Sequence, residues 1–174
     1  MDIHIDTARL HLRVWQAGDV RPYAELCADP EVMRWIGDGS TLTFEQSEAS
    51  IQKFTTQWQT YGFGLFAITS KENASFLGFC GLSIPNFLPE VLPAVEIGWR
   101  LKRDAWGQGF ATEAAHAAMA FGFNDIALDE IVSIHQAGNN ASKNVMIKLG
   151  MQFDRETIAP VYEKPVHVYR KQNR

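Results

Sequence analysis

The strongest constraint on the fold is a strand-like stretch that runs into a glycine loop and then into a helix. The strand, Val95 to Leu101, is rich in apolar and aromatic residues, and the helix, Phe110 to Asn124, is rich in alanine. Gly107 and Gly109 lie between them and lack side chains, so backbone N–H groups can approach a ligand at the helix N-terminus, where the helix dipole favours negative charge. The segment therefore predicts a pyrophosphate-binding loop.

Two other phosphate-binding motifs fit the sequence poorly. A P-loop requires GxxxxGK followed by Ser or Thr, and no such run occurs. A dinucleotide fingerprint requires Gly or Ala where Thr112 stands, and the loop lies past the middle of the chain rather than in a first βαβ unit. Taken alone, the glycines also fit a tight turn into a helix without a ligand.

The rest of the chain alternates strands and helices. Helices are expected after Asp19 and Asp29, each an N-cap followed closely by proline, and after Thr43, which has capping-box spacing with Gln46. Strands are expected at 9–14, 64–69, 76–84, 95–101, 130–135, 151–156 and 166–170, and a last helix at 141–149. This order predicts a single α+β domain over residues 1–174, built on one central sheet.

Composition narrows the function classes. The formal net charge of -4 disfavours nucleic-acid partners and is compatible with a cationic substrate. No apolar run reaches the roughly 20 residues of a membrane span, and the acidic residues in Met1 to Asp6 differ from a secretory signal, so no membrane partner and a cytoplasmic location are expected. Cys27 and Cys80 are expected to be reduced core thiols, and no histidine has metal-ligand spacing, so no metal is predicted.

Two segments carry a family resemblance. WGQGFATEA, residues 106–114, resembles the acetyl-CoA-binding motif of the GNAT superfamily of N-acetyltransferases, in the version of the ribosomal-protein N-terminal acetyltransferase branch. NNASKNVMIKLGM, residues 139–151, resembles the second GNAT motif, which lines the pantetheine arm. The resemblance implies a GNAT-like domain with a mixed, mostly antiparallel sheet flanked by helices, and acetyl-CoA as cosubstrate.

The resemblance also implies the cofactor-binding residues. The pyrophosphate would be held by the backbone of residues 107–111, with Thr112 at the helix start, and an oxyanion by the backbone N–H of Trp99. Trp106 departs from the Gln or Arg common in the superfamily and is typical of the branch. The complete expected set is Trp99, Leu101, Gly107, Gln108, Gly109, Phe110, Ala111, Thr112 and Asn139.

Catalysis requires a base, because an ordinary alkylammonium has a pKa near 10 and only the free amine attacks a thioester. The resemblance assigns this role to Glu96, acting through water; the alternative is a strand residue paired to a cation. Met146 stands where many relatives carry a proton-donating tyrosine, so Ser142 becomes the candidate donor to the thiolate, with a capping hydroxyl as the alternative. His135 is a second candidate base.

The acceptor pocket is expected to involve Trp35, Asp38 and Phe87, which lie in the early helices and the proline-rich loop. These expectations describe an N-acetyltransferase that acts on a primary amine, either a small molecule or a protein N-terminus, as a monomer or homodimer. Two alternatives remain at this stage: a non-catalytic acyl-CoA-binding domain, with which Met146 is consistent, and an unrelated nucleotide-binding module.

Overall fold

The computed structural model describes residues 3–173. The strands are β1 His4–Asp6, β2 Leu10–Arg13, β3 Leu65–Ser70, β4 Phe76–Ser83, β5 Val95–Leu101, β6 Glu130–Gln136, β7 Gln152–Ala159 and β8 Lys164–Gln172. The helices are α1 Val20–Cys27, α2 Pro30–Met33, α3 Phe44–Tyr61, α4 Phe110–Asn124 and α5 Asn140–Lys148.

All eight strands form one sheet in the order β1-β2-β3-β4-β5-β6-β8-β7. The β5–β6 pair is parallel and the other pairs are antiparallel. The predicted fold class, an α+β domain with a mixed, mostly antiparallel sheet flanked by helices, is confirmed. None of the helices in the described range is long and apolar enough to cross a membrane.

Local signals at helix starts have mixed outcomes. The capping box of Thr43 and Gln46 is formed at α3, and the Asp29 carboxylate accepts from the N–H of Glu31 at α2, as expected. Asp19 precedes α1 but does not cap it with its side chain. Its carboxylate instead binds the guanidinium of Arg13 at 2.7 and 2.8 Å, because an Arg fork offers two stronger, charge-assisted bonds.

Strand β1 was not expected from the sequence. It has three residues and pairs only with β2 at the sheet edge, so its sequence is too short to show a period of two. Strands β7 and β8 are also longer than expected. Seven of the eight residues of β7 are not buried, so its sequence lacks the apolar alternation that marks a half-buried strand.

Three hydrophobic clusters pack against the sheet. One includes Trp58 and packs beneath α4, a second includes Trp15 and packs beneath α1 and α3, and a third includes Leu88 and Val168 and lies beside β6 and β8. The indole N–H groups of Trp58 and Trp15 both donate to the carbonyl of Leu65, at 2.9 and 2.8 Å. This one β3 carbonyl therefore joins the first two clusters.

Candidate active site

The parallel strands β5 and β6 separate soon after they meet. They pair only at Val95 with Ile131 and at Glu96 with Val132, although each strand has seven residues. Farther along, the Ser133 hydroxyl donates to the carbonyl of Ile97 at 2.8 Å. Since N–H and C=O groups of alternate residues in a strand point the same way, the backbone of Trp99 also faces this gap.

A cavity of about 300 Å³ lies at the gap. It brings together seven of the residues that the sequence singled out, contributed by five parts of the chain: Trp35, Phe87, Glu96, Trp99, His135, Asn139 and Ser142. Gly98 also lines it, and a Cβ placed on Gly98 would meet no atom within 4 Å. Within the described chain, the wall does not include Asp38, Leu101 or the glycine loop.

Glu96 is a buried carboxyl group in the cavity wall, 9% exposed. Burial raises its pKa to about 8, while a hydrogen bond from the Ser83 hydroxyl, at 3.4 Å, and the backbone N–H of Ile134 oppose the rise. No cation within ion-pair distance of Glu96 occurs in residues 3–173, so the alternative of a strand residue paired to a cation is wrong. A carboxyl with this pKa is a stronger base than an ordinary glutamate.

The raised pKa predicts a pH-dependent effect of Glu96→Gln on stability. The folded-state pKa lies above the unfolded value of 4.5, so the contribution of Glu96 is full below pH 4.5 and falls as the pH rises through about 8. Relative to wild type, the free energy of unfolding of Glu96→Gln should rise by about 3 to 5 kcal/mol between pH 4.5 and 9. Urea unfolding of both proteins at each pH measures this difference in the free energy of unfolding. A constant difference at all pH values contradicts the assigned pKa, and the exposed Glu25→Gln is the matched control.

His135 lines the same cavity and is 5% exposed. Its Nδ1 lies 2.9 Å from the carbonyl of Gln136 and must carry the proton, because a carbonyl only accepts. Nε2 is therefore a lone-pair atom, buried without a partner among the described residues. Burial lowers the pKa of His135, with a further contribution from His167, which makes the imidazole a weaker base than usual.

Ser142 and Asn139 open α5 beside the cavity. Asn139 caps the helix, because its side-chain oxygen accepts from the N–H of Ser142 at 3.2 Å. The Ser142 hydroxyl makes no hydrogen bond within residues 3–173, so its alternative role as a capping hydroxyl is not observed. Met146 is 1% exposed and packs in the core, so the cavity receives Ser142 and not the side chain at the position of the family tyrosine.

The glycine loop presents backbone donors. Gly107 and Gly109 have φ angles of 71° and 81°, a region that favours glycine. In the described chain, no N–H from residue 107 to residue 112 donates to a backbone or side-chain acceptor, and Glu113 is the first of the helix to do so. Free N–H groups at the N-terminus of a 15-residue helix suit a pyrophosphate.

Arg9, which the sequence analysis did not single out, braces this loop. Its Nε and backbone N–H bind the Glu113 carboxylate at 2.7 and 2.9 Å, and its Nη1 donates to the carbonyl of Gln108 at 2.9 Å. The guanidinium also lies 4.4 Å from the centre of the Phe110 ring. The contacts join residues about 100 positions apart, and no local pattern signals them.

Two expected residues take other roles. Asp38 is exposed, and its carboxylate accepts from the N–H of Ser40 at 2.9 Å, so a local turn holds it away from the cavity wall. Leu101 is buried in the core, and its carbonyl accepts from the indole N–H of Trp106 at 2.8 Å. The glycine loop is thereby tied to the end of β5.

One part of the cavity has an aromatic wall. Phe87 and Tyr162 stack with ring centres 6.0 Å apart, and Trp35 lies near Gly138 on the opposite loop. Burial raises the pKa of Tyr162 to about 12, with a further contribution from the charge of Glu96, so its hydroxyl stays protonated at neutral pH. Tyr162 lies in the β7–β8 turn, for which the sequence analysis predicted no site residue.

No group of three or more His, Cys, Asp or Glu side chains suited to a metal ion occurs within residues 3–173.

Comparison with known proteins assigns the family. Residues 9–152 match the family described as "Acetyltransferase (GNAT) domain". YkkB of Bacillus subtilis (strain 168), described as uncharacterized, is 30% identical over 176 residues, covering 96% of this chain and 94% of YkkB. Further Bacillus relatives are named N-acetyltransferases.

Solved structures share the fold. An acetyltransferase from Agrobacterium tumefaciens str. C58 superposes with a TM-score of 0.83 at 25% identity, covering 99% of this chain and 95% of that one. Ribosomal-protein-S5-alanine acetyltransferase from Vibrio fischeri gives a TM-score of 0.80 at 17% identity, with coverage of 99% and 97%. At that identity the second likeness concerns the fold alone.

The fold and the matched segment define the chain as an acetyl-CoA-dependent N-acetyltransferase. It belongs to the GNAT acetyltransferase family, as its two sequence motifs predict.

Proposed function

We propose that this enzyme transfers an acetyl group from acetyl-CoA directly to a primary amine, a small molecule or a protein N-terminus, with Glu96 as the base acting through water. The supporting observation is that a buried carboxyl with a pKa of about 8 shares one cavity with the Ser142 hydroxyl, at the gap between β5 and β6. The family supplies acetyl transfer from acetyl-CoA. The assignment of residues is our own.

The residues present fit acetyl-CoA. The free N–H groups of residues 107–112 suit its pyrophosphate, and the gap between β5 and β6 exposes backbone groups to which the amide-bearing pantetheine arm can hydrogen-bond. Acetyl-CoA supplies a thioester carbonyl as the electrophile. The N–H of Trp99 faces the gap and is the proposed donor to the carbonyl oxygen, where negative charge develops.

The proton balance uses two side chains. Glu96 accepts, through water, one proton of the ammonium and releases it to solvent, and the free amine nitrogen bonds to the thioester carbon. As the carbon–sulfur bond breaks, this nitrogen loses a second proton. Ser142 donates a proton to the departing thiolate and regains, through water, the proton that the nitrogen loses. The proposed base thus lies on β5 and the proposed acid on α5.

Glu96 is favoured over His135 because burial acts on the two groups in opposite ways. Burial disfavours the charged form of each, so it raises the pKa of the Glu96 carboxyl and lowers that of the His135 imidazole. The raised pKa makes the Glu96 carboxylate a stronger base, and the lowered pKa makes the His135 imidazole a weaker one. A general base works best with a pKa near the working pH, which is the condition of Glu96.

Thiol release from acetyl-CoA in the presence of a panel of primary amines tests the function. The expected result is amine-dependent thiol release with a matching acetylated product by mass spectrometry. Binding of acetyl-CoA without thiol release for any amine would instead support a non-catalytic acyl-CoA-binding domain.

Ser142→Ala should lower kcat by about a hundredfold if the hydroxyl protonates the thiolate in the transition state. Calorimetry should show nearly unchanged acetyl-CoA affinity, since Asn139 still caps α5. Ser142→Thr keeps a hydroxyl and should retain more activity, and Ser50→Ala, which lies on α3 outside the cavity wall, is the control. Unchanged turnover in Ser142→Ala would remove the proposed role.

A further inference from the structure

Arg100 is a cation in the cavity to which the mechanism gives no role. It lies on β5 four residues after Glu96, and because alternate residues of a strand share a face, Glu96, Gly98 and Arg100 line the same side. The guanidinium lies 5.1 Å from the centre of the Phe79 ring, and Nη1 lies 3.3 Å from Sγ of Cys27, to which it donates.

The guanidinium of Arg100 lacks an anionic partner. Arg13 and Arg170, the other two partly buried arginines of the described chain, each bind a carboxylate at 2.7 Å. Arg100 has no carboxylate within ion-pair distance in residues 3–173, and its Nε is buried without any acceptor. A charged donor that is removed from water and left unbonded is costly, so a folded protein rarely keeps one without a purpose.

The free side of Arg100 has the geometry of a carboxylate site. Nη1 is engaged by Cys27, whereas Nε and Nη2, which lie side by side on the guanidinium, donate to no described residue. Two parallel N–H donors of this kind match the two oxygens of one carboxylate.

The space between Arg100 and Glu96 is open. Gly98 lies midway along β5, and nothing lies within 4 Å of where its Cβ would be. Four residues of extended strand place the Cα atoms of Glu96 and Arg100 about 13 Å apart. One side of the cavity therefore has a base at one end and an unpaired cation at the other.

We propose that the acceptor is an amine that also carries a carboxylate, with its amino group at Glu96 and its carboxylate on the Nε–Nη2 edge of Arg100. The two groups of the acceptor are separated by several bonds, because the two ends of the site are separated along the strand. This inference rests on the proposed function. The net charge of -4 is compatible with a cationic substrate, but a second cation on the acceptor would be repelled by Arg100.

Matched acceptors test the proposal. Glycine, 4-aminobutyrate and 6-aminohexanoate are compared with their neutral amides and with diamines of matching length, at saturating acetyl-CoA. For at least one chain length, the carboxylate compound should exceed its amide in kcat/KM by about tenfold or more, the scale of one charge-assisted hydrogen bond. The diamine should be the poorest of the three.

Variants of Arg100 test whether this residue causes the preference for the carboxylate compound over its amide. Arg100→Met keeps a long apolar stem without the charge and should reduce the carboxylate-to-amide ratio of kcat/KM to about one, mainly through KM. Arg100→Lys should restore part of the ratio, because it keeps a charge but not the fork. Arg21→Met, an exposed arginine of α1, should keep the wild-type ratio. Thermal unfolding checks that each variant is folded.

The outcomes separate this inference from the proposed function. Acetylation of amides and carboxylates at equal rates, or a ratio that survives Arg100→Met in a folded protein, overturns the carboxylate site and leaves the acetyltransferase intact. Acetylation of no amine in any series contradicts the proposed function and the carboxylate site with it. A preference for an aminoalkyl phosphate over every carboxylate also overturns the assignment.

Discussion

Replacing Glu96 with Gln should lower kcat/KM by about a hundredfold or more at pH 7 while acetyl-CoA affinity stays nearly constant. Gln keeps the size of the side chain but cannot accept the proton of the ammonium. In wild type, kcat/KM should rise with pH through about 8, since the carboxylate form of Glu96 accumulates there. This rise should be absent in Glu96→Gln. In that variant, kcat/KM should depend on pH only through the titration of the substrate amine.

Two further measurements make the result specific. The loss of kcat/KM in Glu96→Gln should be smaller for an amine whose pKa lies below 7, because such an amine is already neutral at pH 7. Ser83→Ala should shift the rise of kcat/KM to higher pH than in wild type, because the Ser83 hydroxyl lowers the pKa of Glu96. Equal slowing at all pH values would instead assign Glu96 to positioning, and no effect would make His135 the candidate base.

Gly109→Val should weaken acetyl-CoA binding by at least about a hundredfold, measured by calorimetry. Gly109 has a φ of 81°, and a β-branched residue there forces the loop out of the conformation that presents its N–H groups. An added Cβ would also lie 3.4 Å from the Arg9 guanidinium that braces the loop.

Gly62→Val is the matched control for backbone strain. Gly62 ends α3 with a φ of 72°, and no atom lies within 4 Å of its Cβ position, so the same substitution costs similar strain far from the loop. It should lower the melting temperature without weakening acetyl-CoA binding. If Gly109→Val binds acetyl-CoA as tightly as wild type, residues 107–112 are not the pyrophosphate site.

The sequence predicts those parts of the fold that local chemistry determines. Strand β5 and helix α4 have the predicted bounds, and the Thr43 capping box forms, because caps, glycines and periodicity act within a few residues. Strand β1 and the length of β7 depend on pairing at the sheet edge and leave no local signal. The side chain of Asp19 was misassigned because Arg13 competes for it from the preceding strand.

The site was predictable where a motif carries it. Asn139 and Ser142 of the second motif share a cavity with Glu96, which the family resemblance assigns as the base on the strand before the first motif, and their roles remain predictions. Arg9, Arg100 and Tyr162 belong to no motif and become visible only when distant strands and turns come together. Asp38 was expected at the acceptor pocket because of its place in the region of the early helices, but a turn directs its carboxylate to Ser40.

The carbonyl of Leu65 accepts two hydrogen bonds, one from an indole on each face of the sheet. Because two indoles donate to it from opposite cores, loss of either one leaves the carbonyl bonded and costs packing alone. Trp15 packs against Phe54 and Phe79, which line the cavity at the gap between β5 and β6. A substitution of Trp15 should therefore change the packing behind this cavity while the indole of Trp58 stays bonded to the Leu65 carbonyl.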